Sequence, residues 1–546
     1  MRRVSLALRG LTVAVLLTLA AHLHGQATPV READAVCAKC HAEISRKYLA
    51  TPMANASGRA GEKLMTETFE HPASGVTYQV SNIEGKAELE YRTPQDPAWP
   101  HVLELSYFLG SGHLATTYLY SIDKYLFESP VAWYAASKSY DMKPGMADMR
   151  QIVPPLPMQS SCLRCHMSSV QPSEAGTVNR YGGLAFLHTG ITCEACHGET
   201  RQHVATGGKA AVVNPAKLDA DRRDSVCISC HLEGDVTVER AGKSALDYQP
   251  GEPISKYLAY FVRVDANLTA RGVSEVEQLS QSTCKRMSGD KMSCSNCHDP
   301  HFTPAPEQKV AFFRIKCLAC HSEPSFATTH HPENPDCTSC HMPRLAAGNI
   351  LHVAWTDHRI LRVPQNEKAD SAKTSGSALK AIFSPGATER DEAMAEYQLL
   401  MDGDHAFEPP AWQHLSRLKS AIQQDRAALD ALGNVSAERG DTETAETAFR
   451  RVLTIDAEDL TARSNLGVLL AKEGKTEEAV TILRNAFERN QDSAGVAMDL
   501  ARVQCMAGDA VAAQDTLKTA LKFSPEQIDL RRLLQQVQTC SGSDSR

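Results

Sequence analysis

The sequence lacks an excess of basic charge, a second long apolar run, and any cysteine near its N-terminus. Lysine and arginine number 57 against 65 aspartates and glutamates, a formal charge of −8. A nucleic-acid binder needs a basic face, so that class is excluded. The one apolar run is Leu11 to Ala21, behind Arg2, Arg3 and Arg9 and ahead of His22, His24 and Gln26. It has the length of a signal-peptide core and is too short for a standard membrane helix. Residues 1–27 therefore read as a Sec-type signal peptide, with cleavage around Gly25 to Ala27; an uncleaved anchor is the alternative. The missing cysteine there argues against a lipoprotein. The expected product is exported and periplasmic, with no membrane span after cleavage.

What is present is cysteine in a fixed pattern. Fourteen of seventeen cysteines fall into seven C-x-x-C-H units, called sites 1 to 7 in chain order. They are Cys37, Cys40, His41; Cys162, Cys165, His166; Cys193, Cys196, His197; Cys227, Cys230, His231; Cys294, Cys297, His298; Cys317, Cys320, His321; and Cys337, Cys340, His341. Two thiols spaced this way add to the two vinyl groups of a haem, and the adjacent imidazole reaches the iron as proximal ligand. Chance would give about 0.02 such units in a chain of this composition. Zinc ribbons do not place His after the second Cys every time. Disulfides need no such His, and thioredoxin-like pairs occur singly. Seven covalent c-type haems, with their irons, are expected.

The second axial ligand decides whether an iron is closed for electron transfer or open to a substrate. Candidate distal imidazoles are His71, His113, His188, His203, His301, His330 or His331, His352 and His358. His203 and His301 lie just beyond the proximal ligands His197 and His298, so each more naturally reaches a neighbouring haem. Asp357 is placed to orient an imidazole through its second nitrogen. Gly110-Ser-Gly-His113 is a turn whose glycines permit close approach to a flat cofactor. Met167 and Met342 adjoin proximal ligands and are expected to pack on a porphyrin. Cys284 reads as a buried small residue by default, with axial thiolate and reactive thiol as alternatives. For Cys505 and Cys540, pairing and free thiols both stay open.

Residues 28–363 hold every site and form the expected seven-haem cytochrome domain. Val76 to Val80 and Ala87 to Tyr91 alternate about Gly85 as a hairpin. His101 to Leu109 and Thr116 to Ile122 read as further strands, and Asp235 to Glu239 as a weaker one. A small β-containing insertion is expected in the 120 residues between His41 and Cys162. Residues 364–386, rich in Ser, Lys, Ala, Asp and Gly, read as a linker. Residues 387–546 read as helical. Gly440, Gly474 and Gly508 stand 34 residues apart, as do Ala445, Ala479 and Ala513, and Phe449, Leu483 and Leu517. This is the tetratricopeptide (TPR) pattern, three repeats over about 426–527, with small residues where paired helices cross. Glu392 to Ile422 is read as an extra, degenerate pair. The expected fold class is mainly α with a small β component: a haem-packed domain followed by an α-helical TPR solenoid.

The region 34–362 resembles the cytochrome c-554-like multihaem family, often seen fused to TPR repeats. The resemblance rests on Gly-Ser-Gly-His113, on Cys193-Glu-Ala-Cys-His-Gly with His203, and on Ser282-Thr-Cys284 ahead of Cys294-Ser-Asn-Cys-His-Asp-Pro-His301. It also rests on Cys337-Thr-Ser-Cys-His-Met-Pro with Thr356-Asp-His358. It implies closely packed, mostly bis-histidine haems serving electron transfer. The best-known members carry four haems, so the ligand pairing does not transfer. The first functional expectation is an electron carrier between redox partner proteins, with a TPR domain that docks a protein partner. The second is a multihaem oxidoreductase acting on a small nitrogen or sulfur compound at one open haem. The third is a TPR scaffold.

Overall fold

The computed structural model describes residues 32–152, 154–264, 273–323, 325–330, 333–346, 354–362 and 378–540. The segment read as a signal peptide lies outside them, as do His331 and His352. The first half of the chain is built from β-structure. Strands β1 (Ser57–Arg59), β2 (Glu67–Glu70), β3 (Thr77–Ile83), β4 (Lys86–Thr93), β5 (Asp96–Leu109), β6 (Ala115–Ile122), β7 (Tyr125–Tyr134), β8 (Ser139–Met142) and β9 (Leu156–Pro157) form one antiparallel sheet. From β2 to β8 the strands follow chain order, with β1 added to β5 and β9 to β7. The sheet curls until its ends approach: the Tyr140 amide on β8 donates to the Glu67 carboxylate on β2 at 2.9 Å, and the Phe69 and Tyr140 rings stack. The expected mainly α fold with a small β component is thus overturned: a nearly closed antiparallel barrel lies in the N-terminal region, between Ser57 and Pro157, and the long helices are C-terminal.

Alternation is clearest on β4. On β4, Ala87, Leu89, Tyr91 and Thr93 point inward while Glu88, Glu90 and Arg92 do not. Tyr78, Tyr118, Phe127, Val131 and Met142 fill the interior. The Tyr140 hydroxyl donates to the Met65 carbonyl at 2.8 Å and lies 2.9 Å from the Tyr118 hydroxyl. The β3–β4 hairpin turns through Glu84 and Gly85, both at positive φ, the two-residue turn that matches strand twist.

Shorter pairs follow: β10 (Met167–Val170) with β11 (Phe186–Thr189), and β12 (Val236–Glu239) with β13 (Leu258–Arg263). β14 (Arg344–Ala346) pairs with β15 (Ala354–Thr356). The stretch read as a linker is structured in its second part. There β16 (Leu379–Ile382) adds to β13, and the Ser384 hydroxyl accepts from the Tyr260 amide at 2.7 Å.

From residue 389 the chain is a helical solenoid. Helices Glu389–Met401 and Glu408–Leu418 precede three pairs: Arg426–Glu438 with Thr442–Ile455, Leu460–Lys472 with Thr476–Arg489, and Ala494–Met506 with Ala510–Ala520. Small residues sit at the crossings for a steric reason. A Cβ on Gly433 would lie 2.5 Å from the Phe449 ring, and one on Gly467 2.5 Å from Leu483. Helix Ile528–Gln536 follows the last pair, and Cys505 and Cys540 form a disulfide with Cα atoms 5.5 Å apart.

The solenoid is clasped to the first half at two places. Near its start, Arg240 pairs with the buried Asp391 at 2.6 Å, Arg390 donates to the Glu239 carbonyl, and Arg263 pairs with Asp404. Val236, Val238, Ala259 and Phe261 share one apolar core with the helices. Farther along, the Tyr125 hydroxyl donates to the Arg489 carbonyl at 2.6 Å, Phe523 enters the barrel core, and His101 meets Glu526 at 2.7 Å.

Candidate haem sites

Each C-x-x-C-H unit lies on or against a short helical turn. At sites 1, 3, 5 and 6 the His amide donates to the carbonyl of the first Cys: His41 to Cys37, His197 to Cys193, His298 to Cys294 and His321 to Cys317, at 2.9–3.0 Å. That i→i+4 bond gathers both thiols and the imidazole around one turn. Site 4 ends the helix Ala220–His231, which Asp219 caps by accepting from the Arg222 amide. Asp336 caps site 7 by accepting from the Thr338 and Ser339 amides.

All seven units contribute a cysteine to one connected cavity of about 3850 Å³. Ordinary small-molecule pockets hold about 300–1,000 Å³. The protein does not fill this space itself. Among the described residues, no hydrophobic side chain between 277 and 362 is fully buried. Helix Lys309–Leu318 buries none of its residues, although Phe312 and Phe313 face the cavity. Sites 5 to 7 thus have the wall of a core without its contents.

The imidazoles supply the decisive geometry. Ring centres of His41 and His203 are 6.3 Å apart, of His197 and His301 5.9 Å, of His298 and His358 6.2 Å, and of His341 and His330 6.0 Å. Two imidazoles bound at about 2 Å to opposite sides of one metal ion, each ring centre about 1.2 Å behind its nitrogen, would have centres about 6.4 Å apart. The planes of the four pairs differ by 17°, 10°, 30° and 24°. Backbone carbonyls hold several rings. Nδ1 donates to Val213 from His197 at 2.8 Å, to Ala210 from His203 at 2.7 Å, to Leu361 from His341 at 2.5 Å and to Thr356 from His358 at 2.9 Å. Each such bond leaves Nε2 with a lone pair for a metal. Burial, with His358 beside it, pushes His298 down to about 4, so its imidazole is neutral.

Other expected ligands are placed differently. His71 is buried at the barrel, with Nδ1 2.8 Å from the Ser74 hydroxyl and Nε2 donating to the Ala147 carbonyl at 2.8 Å. Neither nitrogen is available to a metal, and His71 is withdrawn as a candidate. His188 stands on β11 opposite Ser168 and away from the cavity lining. His113 lines the cavity. The glycine before it serves the backbone rather than a cofactor: at Gly110, φ is +101° and a Cβ would lie 2.3 Å from the Ala115 carbonyl oxygen. Asp357 does not orient His358. It is buried and takes a two-pronged bond from the Arg359 guanidinium at 2.8–3.1 Å. Met167, Met342 and the half-buried Cys284 all line the cavity.

Sequence reasoning missed Arg164, inside site 2, which donates to the Ser229 carbonyl inside site 4. Its position between two cysteines was the available signal. It also missed Phe326, whose ring lies 4.8 Å from His321 and 4.7 Å from His330.

Residues 132–198 match the family described as cytochrome c554 and c-prime, and residues 470–537 match a tetratricopeptide repeat family. The chain is 26% identical over 180 residues to the multiheme cytochrome MtrA of Shewanella baltica (strain OS185), covering 30% of this chain and 52% of that protein. It thus spans about half the length of that curated relative. Among solved structures, MamA of AMB-1 is 19% identical, covering 28% of this chain and 86% of its own, with a TM-score of 0.25. PilF of Pseudomonas aeruginosa is 21% identical, covering 28% and 69%, also at 0.25. No helix among the described residues is long and apolar enough to cross a membrane. The cavity of cysteine and histidine and the family matches point the same way: the chain is similar to multihaem c-type cytochromes of the cytochrome c554 kind, and its C-terminal part is similar to TPR repeats.

Proposed function

We propose that the protein is an exported, periplasmic seven-haem electron carrier that passes electrons between redox partner proteins. The observation behind this reading is the set of four imidazole pairs at 5.9–6.3 Å around one shared cavity. When bound, each haem supplies a one-electron iron couple. The chain's own residues do the rest. Each pair of thiols would hold a haem covalently, and His41 with His203, His197 with His301, His298 with His358 and His341 with His330 are the imidazole pairs that would ligate the irons. An iron closed by two imidazoles exchanges electrons with little rearrangement and binds no substrate. His166, His231 and His321 would be the remaining proximal ligands; His113, which lines the cavity, is the described candidate for a second imidazole, with His331 and His352 outside the described residues. The TPR solenoid offers its remaining face to a protein partner.

Haem content and low-temperature EPR of the oxidised protein test this. Seven haems, all low-spin, are the expected result. A reproducible high-spin haem that shifts on adding nitrite or hydroxylamine would replace the carrier with an oxidoreductase.

A further inference from the structure

The order of the sites in space differs from their order in the chain. Site 1 meets site 3 directly. The Cys193 amide donates to Asp34, just ahead of site 1, at 3.0 Å, and the ring centre of His203, just past site 3, lies 6.3 Å from that of His41. Site 3 in turn meets site 5, because His301, just past site 5, faces His197. His358, which follows site 7, faces His298 of site 5, and His330, which follows site 6, faces His341 of site 7. Sites 6 and 7 also meet through Arg314, on the helix that leads into site 6, which donates to the Pro335 carbonyl just ahead of site 7 at 3.1 Å. These contacts thread sites 1, 3, 5, 7 and 6 without using site 2.

Site 2 is attached elsewhere. Arg164, between the two cysteines of site 2, donates to the Ser229 carbonyl within site 4. Site 4 lies beside the segment that leads into site 5: on its helix Arg223 donates to the Asp290 carbonyl at 3.2 Å and Asp224 pairs with Lys285 at 3.7 Å. The barrel is what holds site 2 there: the Ser57 hydroxyl on β1 donates to the His166 carbonyl at 2.7 Å, and Leu163 is buried among Leu119, Leu126 and Tyr181.

We infer that the haem array is branched, a spine through sites 1, 3, 5 and the 6–7 pair with a spur through site 4 to site 2, so that electrons have three ports. This rests on the carrier reading above. An independent observation agrees with it. Exposed haem-attachment cysteines occur at sites 1, 2 and 6, as Cys40, Cys162 and Cys320, whereas those of sites 3, 4 and 5 are all half-buried. Exposure thus falls at the three tips of the branched order. A chain in sequence order would have site 2 inside the line. Tunnelling falls steeply with edge separation, so adjoining sites mark the fast steps, and an exposed edge marks where a protein partner exchanges electrons. The port at site 2, beside the barrel, fits a second one-electron protein, distinct from those serving the spine's ends.

The test is an experimental map of the haem-loaded full chain, by cryo-electron microscopy or crystallography, with haem content measured on the same sample. The expected result is a site 2 iron whose sole close iron neighbour is that of site 4, with the irons of sites 1 and 3 adjacent. Seven irons running in sequence order, site 2 between sites 1 and 3, would overturn the branch and leave the carrier reading standing. A protein without haem would overturn both. As a second measurement, Cys162→Ala with Cys165→Ala should yield six haems and alter the EPR signal of one remaining haem, at site 4. Altered signals from sites 1 and 3 would refute the spur.

Discussion

Replacing His203 by alanine asks whether a residue in the stretch after site 3 belongs to site 1. His203 and His41 have ring centres 6.3 Å apart and planes 17° apart, and the Ala210 carbonyl fixes the His203 tautomer. If His203 closes the site 1 iron, His203→Ala opens one haem of the seven expected, so about one seventh of the haem turns high-spin at unchanged haem content. Added imidazole should restore the low-spin signal, because the cavity left has its shape. The near-parallel planes of all four pairs further predict rhombic low-spin signals rather than the strongly anisotropic kind that perpendicular imidazoles give. EPR of oxidised protein at low temperature, with integrated spins, reads both. A double-mutant comparison settles the assignment: in protein already lacking site 1 through Cys37→Ala and Cys40→Ala, His203→Ala should produce no new high-spin haem. An unchanged spectrum in the single variant, or a new high-spin haem in the site 1-deficient protein, would refute the pairing.

Further outcomes concern the helical half. Cys505→Ser with Cys540→Ser opens a loop of sequence separation 35, worth up to about 4 kcal/mol, and should lower the denaturation midpoint of oxidised but not of reduced protein. Gly467→Ala sets a Cβ 2.5 Å from Leu483; overpacking of about 1–3 kcal/mol outweighs a helix-propensity gain of about 1 kcal/mol. Chemical denaturation followed by circular dichroism reads the net loss. Burial, and then the neighbouring Asp459 carboxylate, pushes Asp430 up to about 8. Its folded value exceeds the unfolded value of about 4, so the folded state holds the proton more tightly and stability falls as pH rises between about 4 and about 8. Asp430→Asn should remove that fall, seen as a flatter melting temperature across the range. Tyr125→Phe loses the bond to the Arg489 carbonyl and the one accepted from the Gln491 amide, about 1–2 kcal/mol, and should raise amide exchange around residues 489–491.

The sites were legible because their chemistry is local. A thiol pair and an imidazole within five residues announce themselves without a fold, and so does a 34-residue period in which Gly467 must clear Leu483. The barrel was legible only strand by strand. The β3–β4 hairpin shows in its alternation and in Gly85, but closure of β2 on β8 depends on Glu67 meeting the Tyr140 amide, 73 residues away. The Tyr125–Tyr134 strand was not recognised, because its burial is nearly continuous rather than alternating. The imidazole pairs were half legible for the same reason. His203 and His301 could be marked as pointing away from their own sites, yet which imidazole each stands beside is a property of packing. His71 looked as eligible as they did until Ser74 and Ala147 were seen to occupy both nitrogens.

The bond from Tyr125 to Arg489 joins residues 364 apart, and the Asn490 bond to Gly176 spans 314. Contacts at such separation form late, since the loop between them must close before they reward it. The barrel-to-solenoid clasp is therefore expected to close late in folding. Six of the seven C-x-x-C-H units, all but the one at Cys37, lie between the two clasped points, so the segment that carries them is tied at both ends only once the last repeats have folded.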